Sequence, residues 1–288
     1  MFQPVIKWSG SKRSQCEEIL KYFPDKIDTY YEPFVGGGSV MRKLLEVINN
    51  RISVQRIICS DLNQDLIYLW NCIKEKPTVV WQHYKDLWNE LNKDNDIERK
   101  KHYFEEIRDR YNMERNPLDF MFINRTSYNG LIRYNKKGDF NVSYHINRNG
   151  IDPAKFKLII YEWSELLKSH NVVFVCRSFE EIQPTCNDFC YLDPPYANTK
   201  AIYFGDFDNI KLFNWLRSIP CPWIMSYNGI SGNIDNTFDV PTDLYDEYLG
   251  IKSGNSSFKR VIGTSNDSIV YESLYIKKGN DIELDPQG

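Results

Sequence analysis

Short apolar runs that alternate with helical stretches constrain the fold of this chain more than any other feature. The runs are four to eight residues long and occupy residues 29–34, 56–59, 171–176, 188–192, 223–226 and 269–276. These are strand lengths, whereas the residues after the first run, from Ser39 to about Ile48, place their apolar side chains on one helical face. The alternation predicts an α/β fold in which a mainly parallel, Rossmann-like sheet carries helices on both faces.

The middle of the chain interrupts this rhythm. Residues 66–92, 98–115 and 118–124 have helical patterns, and residues 133–143 alternate around Lys137-Gly138-Asp139, which is a hairpin signal. We therefore predict an inserted domain over residues 64–153. Residues 1–63 and 154–288 would then form the catalytic domain together, with both boundaries placed to within about ten residues.

Composition predicts a globular, cytoplasmic protein. Apolar residues make up 42% of the chain and charged residues 26%, which argues against disorder. No run of about 18 apolar residues occurs, so we expect no membrane span, and the first residues lack the core of a signal peptide. The seven cysteines are irregularly spaced, which favours a reduced protein. Cys186 and Cys190 have no second pair or histidine nearby, so we expect no metal.

Basic residues are concentrated in three segments. Residues 1–13, 122–148 and 251–260 carry net charges of +3, +4 and +3, although the whole chain carries −3. A chain polarised in this way can present one basic face to nucleic-acid phosphates while it remains acidic overall. The alternative is three unrelated, solvated charge runs.

Two general signals follow the first and second predicted strands, where open parallel sheets bind ligands. Residues 32–38 (EPFVGGG) form a glycine turn between a strand and a helix, and such a turn lets a ligand approach the backbone. Asp61 ends the second strand, where an acid commonly accepts hydrogen bonds from ribose hydroxyls. Each has a plain alternative: the turn also occurs without a nucleotide-like ligand, and Asp61 suits a helix N-cap.

Asp193-Pro194-Pro195-Tyr196 is the most specific pattern in the chain. A strand delivers the acid, and the two prolines remove amide donors and leave carbonyls free to accept. A carboxylate and a carbonyl can together accept both hydrogens of an exocyclic amine, while the tyrosine ring stacks on the base that bears the amine. The alternative is a proline-rich turn with a surface aspartate.

Seven motifs in one order resemble Dam-type DNA adenine-N6 methyltransferases. They are KWSGSKR (7–13), EPFVGGG (32–38), SDLN (60–63), NRTSYNGLIRYN (124–135), FNVSY (140–144), SFEE (178–181) and DPPY (193–196). The resemblance implies a Rossmann-like sheet that uses S-adenosylmethionine (AdoMet), with an inserted, mainly helical DNA-recognition domain that bears the hairpin. It also implies a site-specific enzyme that flips an adenine out of double-stranded DNA and methylates its N6, without a metal.

The resemblance assigns roles to residues at matching positions. The implied cofactor-binding residues are Trp8, Gly10, Lys12, Phe34, Gly36, Asp61, Leu62, Ser178, Phe179 and Asp193. The implied catalytic residues are Asp193, Pro194, Pro195 and Tyr196. The implied DNA-binding residues are Lys7, Tyr128, Asn129, Leu131, Arg133, Asn135, Lys136 and Asn141.

Within the first two sets, the resemblance places Lys12 at the methionine end of AdoMet and Asp61 on the ribose hydroxyls. Leu62 and Phe179 would sandwich the cofactor's adenine, and Asp193 would hold the target N6 together with the Pro194 carbonyl.

Within the DNA-binding set, the resemblance places Lys7 near the first guanine of the site, and Tyr128 with Asn129 in the space that the flipped base vacates. Leu131 and Arg133 would read bases. The remaining members, which would contact phosphates, are Asn135, Lys136 and Asn141.

Two positions depart from the pattern of family members that read GATC. Ser143 replaces a proline expected on a thymine methyl, and Ile146 replaces an expected basic residue. Arg133 is retained, so we expect a guanine within a GATC-like or related site.

Several alternatives stay open from the sequence. The acceptor could be an RNA adenine, or the chain could be a non-catalytic DNA-binding regulator with a cofactor fold. We expect a monomer in a bacterial or phage-infected cell. A separately encoded restriction endonuclease is a possible partner.

Overall fold

The strands form one sheet of mixed direction in the computed structural model of the chain. The structure describes residues 2–195, 207–231, 234–253 and 270–279. Within these ranges it contains β1 (Lys26–Glu32), β2 (Ser53–Asp61), β3 (Val173–Cys176), β4 (Phe189–Leu192), β5 (Trp223–Tyr227), β6 (Ile230–Ser231), β7 (Ile234–Asp235), β8 (Glu247–Ser253) and β9 (Val270–Lys277). The six apolar runs correspond to β1 through β5 and β9, with ends that differ by up to three residues. The predicted strands are therefore confirmed.

Five parallel strands stand in the order β3-β2-β1-β4-β5. β9 runs antiparallel between β5 and β8, and the short β6 and β7 pair near its beginning. At the centre, Tyr31 of β1 stands opposite Ile58 of β2 and Cys190 of β4. The strand order reverses beside β1, and ligands of open α/β sheets bind beyond the carboxyl ends of strands at such a point. The predicted mainly parallel, Rossmann-like sheet is confirmed.

Helices cover the sheet and extend from it. The α-helices among the described residues are α1 (Cys16–Leu20), α2 (Ser39–Val47), α3 (Gln64–Glu75), α4 (Pro77–Leu91), α5 (Ile97–Glu114), α6 (Pro117–Thr126), α7 (Pro153–Ser169) and α8 (Asn209–Ser218). Neighbouring residues of β4 belong to different apolar clusters: Tyr191 belongs to the cluster that includes the apolar side chains of α3 and α7, whereas Cys190 and Leu192 belong to the cluster that includes those of α8. The sheet is therefore buried on both faces. No helix in these ranges is long and apolar enough to cross a membrane.

The stretch between α3 and α7 contains the predicted helices and hairpin. Pro77 divides residues 66–92 into two helices, because it lacks the amide needed to continue α3 and suits the first turn of α4. The hairpin is short: Tyr134 bridges Phe140, and the Asn135 amide donates to the Asp139 carbonyl at 2.8 Å. The hairpin around Lys137-Gly138-Asp139 is confirmed.

Helix α3 packs on the sheet although the prediction assigns it to the inserted domain. Trp70 stacks on Phe174 of β3, with ring centroids 5.3 Å apart and planes 6° apart. Its indole N–H donates to the Gly36 carbonyl at 3.0 Å. The division into residues 64–153 and the remainder stays a prediction.

Candidate active site

Loops from three strands line one cavity. Residues 33–38 follow β1, residues 62–65 follow β2, and residues 193–195 follow β4. The cavity volume is about 850 Å³, which falls in the range of small-molecule sites. Every residue that the resemblance assigns to the cofactor lines this cavity, as do Pro194 and Pro195. Tyr196 lies outside the described residues.

Glycine is required after β1 because Trp8 covers the turn. A Cβ at Gly36 would lie 2.5 Å from the Trp8 Nε1, and a Cβ at Gly37 would lie 2.8 Å from the Trp8 Cβ. Gly36 also has a φ of +44°, a conformation that favours glycine. The indole and the turn therefore form one wall of the cavity, close enough for a ligand to reach the backbone.

Asp61 holds two loops together. Its Oδ2 accepts from the Gly36 amide at 3.2 Å, and its Oδ1 accepts from the Asn63 amide at 3.0 Å. Burial raises the pKa of Asp61 to about 6, although these amide bonds oppose the shift. The N-cap of α3 is Asn63, whose side chain accepts from the Leu66 amide. Asp61 is thus not the helix cap, and its carboxylate, which has about four acceptor positions, keeps capacity for a further donor.

Aromatic rings form an apolar wall beyond β3. Phe179 is buried and packs with Phe34 and Phe207, at centroid distances of 5.7 and 6.1 Å. Leu62, by contrast, is 70% exposed at the cavity, where a flat ring could cover it. Ser178 caps the short helix Phe179–Glu181. The apolar surfaces and Asp61 suit an adenosine group, whose base is flat and whose ribose donates hydrogen bonds.

Asp193 is paired with a buried lysine. The Lys12 Nζ lies 2.7 Å and 2.8 Å from the two carboxylate oxygens, and it donates to the Gly10 carbonyl at 2.9 Å. Glu272 of β9 lies 3.5 Å from the same Nζ. Burial raises the pKa of Asp193 to about 6; Lys12 opposes the shift and Glu272 adds to it. The resemblance placed Lys12 at the cofactor's methionine end, whereas here its ammonium lies on the carboxylate.

The segment around Tyr128 lies on the surface beside Lys7. Tyr128 and Asn129 are exposed, and Asn129 and Gly130 have φ values of +54° and +65°. A Cβ at Gly130 would lie 2.4 Å from the Lys7 Cδ. The Tyr128 ring stacks on His145, with centroids 5.2 Å apart. The structure thus brings together the predicted groove-facing residues Lys7, Tyr128 and Asn129.

Residues 4–7 are tied to α6. The Lys7 amide donates to the Asn124 Oδ1 at 2.9 Å, and the Asn124 Nδ2 donates to the Lys7 carbonyl at 2.8 Å. Arg125 donates to the Pro4 and Val5 carbonyls and is buried. Burial lowers the pKa of Arg125 to about 10.

The hairpin holds its own polar residues. The Arg133 Nε donates to the Asn141 Oδ1 at 2.8 Å, and an Arg133 Nη donates to the Asn141 carbonyl at 3.1 Å. The Asn135 side chain accepts from the amides of Lys137 and Asp139. Phosphate contacts by Asn135 and Asn141 stay predictions, and their side chains already shape the hairpin. Lys136 is exposed, and Leu131 is half-buried.

A chain of hydroxyl groups connects the hairpin to the cavity. The Tyr134 hydroxyl lies 3.5 Å from the Asn63 Nδ2 and 3.3 Å from the Tyr111 hydroxyl, which donates to Asp65 at 2.6 Å. The sequence interpretation missed Tyr134, although it adjoins Arg133 in a motif that the resemblance used. It also missed Glu272, for which no local pattern gives a signal.

The described parts of the three basic segments expose fewer basic side chains than their net charges predict. Lys12 and Arg125 are buried and bonded within the protein, while Lys259 and Arg260 lie outside the described residues. Part of the predicted charge therefore serves internal pairing. In the described part of the chain, no cluster of three or more His, Cys, Asp or Glu side chains could hold a metal ion.

Comparisons with known proteins agree on one family. The profile of the D12 class N6 adenine-specific DNA methyltransferases matches residues 8–253. The Type II methyltransferase M.MjaIII of Methanocaldococcus jannaschii is 30% identical over 301 aligned positions, which cover 94% of this chain and 98% of that protein. The DNA adenine methylase of Escherichia coli (strain K12) is 32% identical over 202 positions, or 68% of this chain and 66% of that protein. Because the profile covers most of the chain, the protein belongs to the D12 class N6 adenine-specific DNA methyltransferase family.

Proposed function

We propose that this methyltransferase binds AdoMet in the cavity beside β1 and β2 and methylates N6 of an adenine flipped from a short DNA site, GATC-like or related. The observation that carries the proposal is that Asp193 shares one cavity with Asp61 and the turn at Gly36. A cofactor held by the turn and Asp61 would then lie within reach of the group that receives the methyl. Bound there, AdoMet supplies an electrophilic methyl group on sulfonium.

The residues around Asp61 support a specific cofactor orientation. The remaining acceptor capacity of Asp61 would receive the ribose hydroxyls, while Phe179 and Leu62 would enclose the adenine. Trp8 and Gly36 would border the methionine part. The fit rests on the exposed apolar surface of Leu62 and on the close contact between Trp8 and the glycine turn.

Asp193 and the Pro194 carbonyl would orient the target amine. Hydrogen bonds from N6 to these two acceptors favour a pyramidal nitrogen whose lone pair faces the methyl group. The carboxylate also stabilises the positive charge that develops on N6. A carboxylate is too weak a base to deprotonate a neutral arylamine, so proton loss would accompany or follow transfer, to water. Tyr196 would stack on the flipped base.

The surface around Lys7 and the hairpin would bind DNA. Tyr128, which is 41% exposed, would fill the space left by the flipped base with Asn129. Such stacking is worth about 1–3 kcal/mol and offsets part of the flipping cost. Arg133 would read a guanine. The remaining proposed DNA contacts are Leu131, Asn135, Lys136 and Asn141.

The setting of the enzyme is also a proposal. A type II methyltransferase is similar over nearly the whole chain, which supports a role beside a separately encoded restriction endonuclease. The proposed form is a monomer in the cytoplasm, where its DNA lies.

Transfer of a radiolabelled methyl group to unmethylated duplex oligonucleotides tests the proposal. Asp193→Ala should abolish transfer while its affinity for sinefungin, measured by calorimetry, stays within about tenfold, because Asp61 and Phe179 hold the cofactor. Asp86→Ala, which removes an exposed carboxylate on α4, is the matched control. Near-normal turnover in Asp193→Ala would remove this residue from the chemistry. Binding without transfer by the wild type would favour a regulator, and preference for RNA would favour an RNA acceptor.

A panel of duplexes with single base-pair changes tests the reading of sequence. Arg133→Ala should relax the preference at one base pair, since a bidentate contact with guanine is worth about 1–3 kcal/mol of discrimination. Lys136→Ala should weaken binding to all duplexes alike and flatten the salt dependence by about one phosphate contact. Equal losses on every duplex for Arg133→Ala would make this residue a phosphate clamp.

A further inference from the structure

Glu272 occupies a fixed position beside the proposed reacting groups. It lies on β9 opposite Ile251 of β8, and its side chain is 14% exposed. The backbone after β5 presses against it, because a Cβ at Gly229 would lie 2.8 Å from the Glu272 Cα and 2.1 Å from the Tyr271 carbonyl oxygen. The Glu272 backbone is therefore fixed in place, with its carboxylate 3.5 Å from the Lys12 ammonium.

The Lys12 ammonium has more acceptors around it than it has protons. It carries three N–H donors and, within the described ranges, faces four oxygens: the Gly10 carbonyl at 2.9 Å, two Asp193 oxygens at 2.7 and 2.8 Å, and the Glu272 Oε2 at 3.5 Å. The Glu272 oxygen is the most distant of the four. It is buried and makes no hydrogen bond within the described part of the chain.

This arrangement conflicts with the proposed use of Asp193. A carboxylate that accepts from the adenine N6 needs acceptor capacity on the side of the base, yet the ammonium engages both Asp193 oxygens. It also neutralises the charge that would stabilise the developing cation on N6. A shift of less than about 1 Å would turn the 3.5 Å contact with Glu272 into a hydrogen bond of ordinary length.

We propose that Glu272 is a positioning residue that takes over the Lys12 ammonium when Asp193 turns to the adenine N6. The proposal rests on the proposed role of Asp193 as the N6 acceptor. Glu272 contacts neither substrate nor cofactor in this scheme, and it acts through Lys12. Without it, the ammonium would stay on Asp193 throughout the reaction.

The primary test is a single-turnover assay of Glu272→Gln, which keeps the shape and removes the charge. The rate of methyl transfer should fall by about 10-fold to 100-fold, which corresponds to the free energy of one hydrogen bond to a charged group. The dissociation constants for sinefungin and for duplex DNA should stay within about twofold. The matched control is Glu247→Gln on β8, which removes one charge from the 3.0 Å ion pair between Glu247 and Lys278. This variant should transfer the methyl group at the wild-type rate.

A double variant distinguishes action through Lys12 from a structural role. If Glu272 acts only through the ammonium, Lys12→Gln with Glu272→Gln should be no slower than Lys12→Gln alone. Glu272→Asp, which keeps the charge on a shorter side chain, should recover part of the lost rate. Thermal melting of each variant, with and without sinefungin, shows whether the cavity is intact.

The pH dependence gives a second readout. Among the described residues, the titratable groups that interact electrostatically with Asp193 are Lys12, Glu272, Glu32 and Tyr191. Since Glu272 raises the pKa of Asp193, the rate of Glu272→Gln should begin to fall at a lower pH than the rate of the wild type. The maximal rate of the variant should nevertheless be lower. A loss of structure alone would not produce that combination.

Three results would overturn the proposal. The first is a wild-type transfer rate in Glu272→Gln, and the second is a loss of sinefungin or DNA binding in this variant as large as its loss of rate. The third is a double variant in which the rate losses of Lys12→Gln and Glu272→Gln multiply. A wild type that transfers no methyl to DNA would instead refute the proposed function itself, so the two failures are distinguishable.

Discussion

Asp61→Asn should weaken cofactor binding and destabilise the fold by separate mechanisms. The carboxylate accepts from the amides of Gly36 and Asn63 at 3.2 and 3.0 Å, and an asparagine can offer an acceptor to only one of them. The second amide would face an NH2 group and lose its bond, which costs about 1–3 kcal/mol of unfolding free energy.

The loss in affinity has a different origin. Hydroxyl groups that donate to a charged acceptor contribute about 1.5–3 kcal/mol, and Asp61 keeps part of its surface open to the cavity, so the lower half of this range applies. Since 1.4 kcal/mol is about tenfold in affinity, Asp61→Asn should raise the dissociation constant for AdoMet or sinefungin by about 10-fold to 40-fold.

Calorimetry with sinefungin and thermal melting of the ligand-free protein measure the two effects independently. The matched control is Asp28→Asn on β1, a half-buried carboxylate that accepts from the exposed Gln55 side chain, and it should change neither. If Asp61→Asn melts earlier but binds sinefungin as tightly as the wild type, Asp61 is only a clamp between loops. Unchanged melting would refute the argument from the amide bonds.

Three further variants or conditions address the DNA face and the proposed acceptor. Gly130→Ala should weaken DNA binding more than sinefungin binding, because the new Cβ would displace Lys7 and strain a backbone at φ +65°; equal affinity for DNA in a filter-binding assay would contradict this. Asn141→Ala should reduce discrimination at the base pair read by Arg133, since it removes the 2.8 Å bond that orients the guanidinium; an unchanged profile on single-change duplexes would count against it. Asp193 has a pKa of about 6, so single-turnover rates should decrease when the pH is lowered below about 6. The contribution of Asp193 to the unfolding free energy should instead increase as the pH is lowered from about 7 to 4, because the folded state binds the proton more tightly than the unfolded state. A rate independent of pH between about 5 and 8 would show that ionisation of Asp193 is not required.

Local patterns predicted much of the fold and the position of the cavity. Apolar runs and glycine turns are short-range signals, so the strands and the loops after β1, β2 and β4 follow from the sequence. Ends moved by a few residues because hydrogen bonding between strands, rather than the apolar pattern, sets where a strand ends.

Long-range pairing was not predictable from the same patterns. Lys12 and Asp193 are 181 residues apart, and their contact depends on how the amino-terminal segment crosses the carboxyl end of β4. Arg125 counted as part of a basic face, whereas its guanidinium is buried against the carbonyls of residues 4–5. A charge count gives the sign of a segment but not the direction in which each side chain points.

The ties between residues 4–7 and α6 limit how this enzyme can be recombined with its relatives. The helical stretch resembles a cassette in the sequence, yet its buried Arg125 donates to the backbone carbonyls of Pro4 and Val5. A transplanted stretch would keep these acceptors only if the recipient's amino-terminal backbone lies in the same place, and otherwise the charge would be buried without partners. Asn124 likewise depends on the position of the Lys7 backbone, because it pairs with the amide and the carbonyl of that residue. A chimera that exchanges DNA specificity should therefore carry residues 4–7 from the same parent as α6, although more than a hundred residues separate them along the chain.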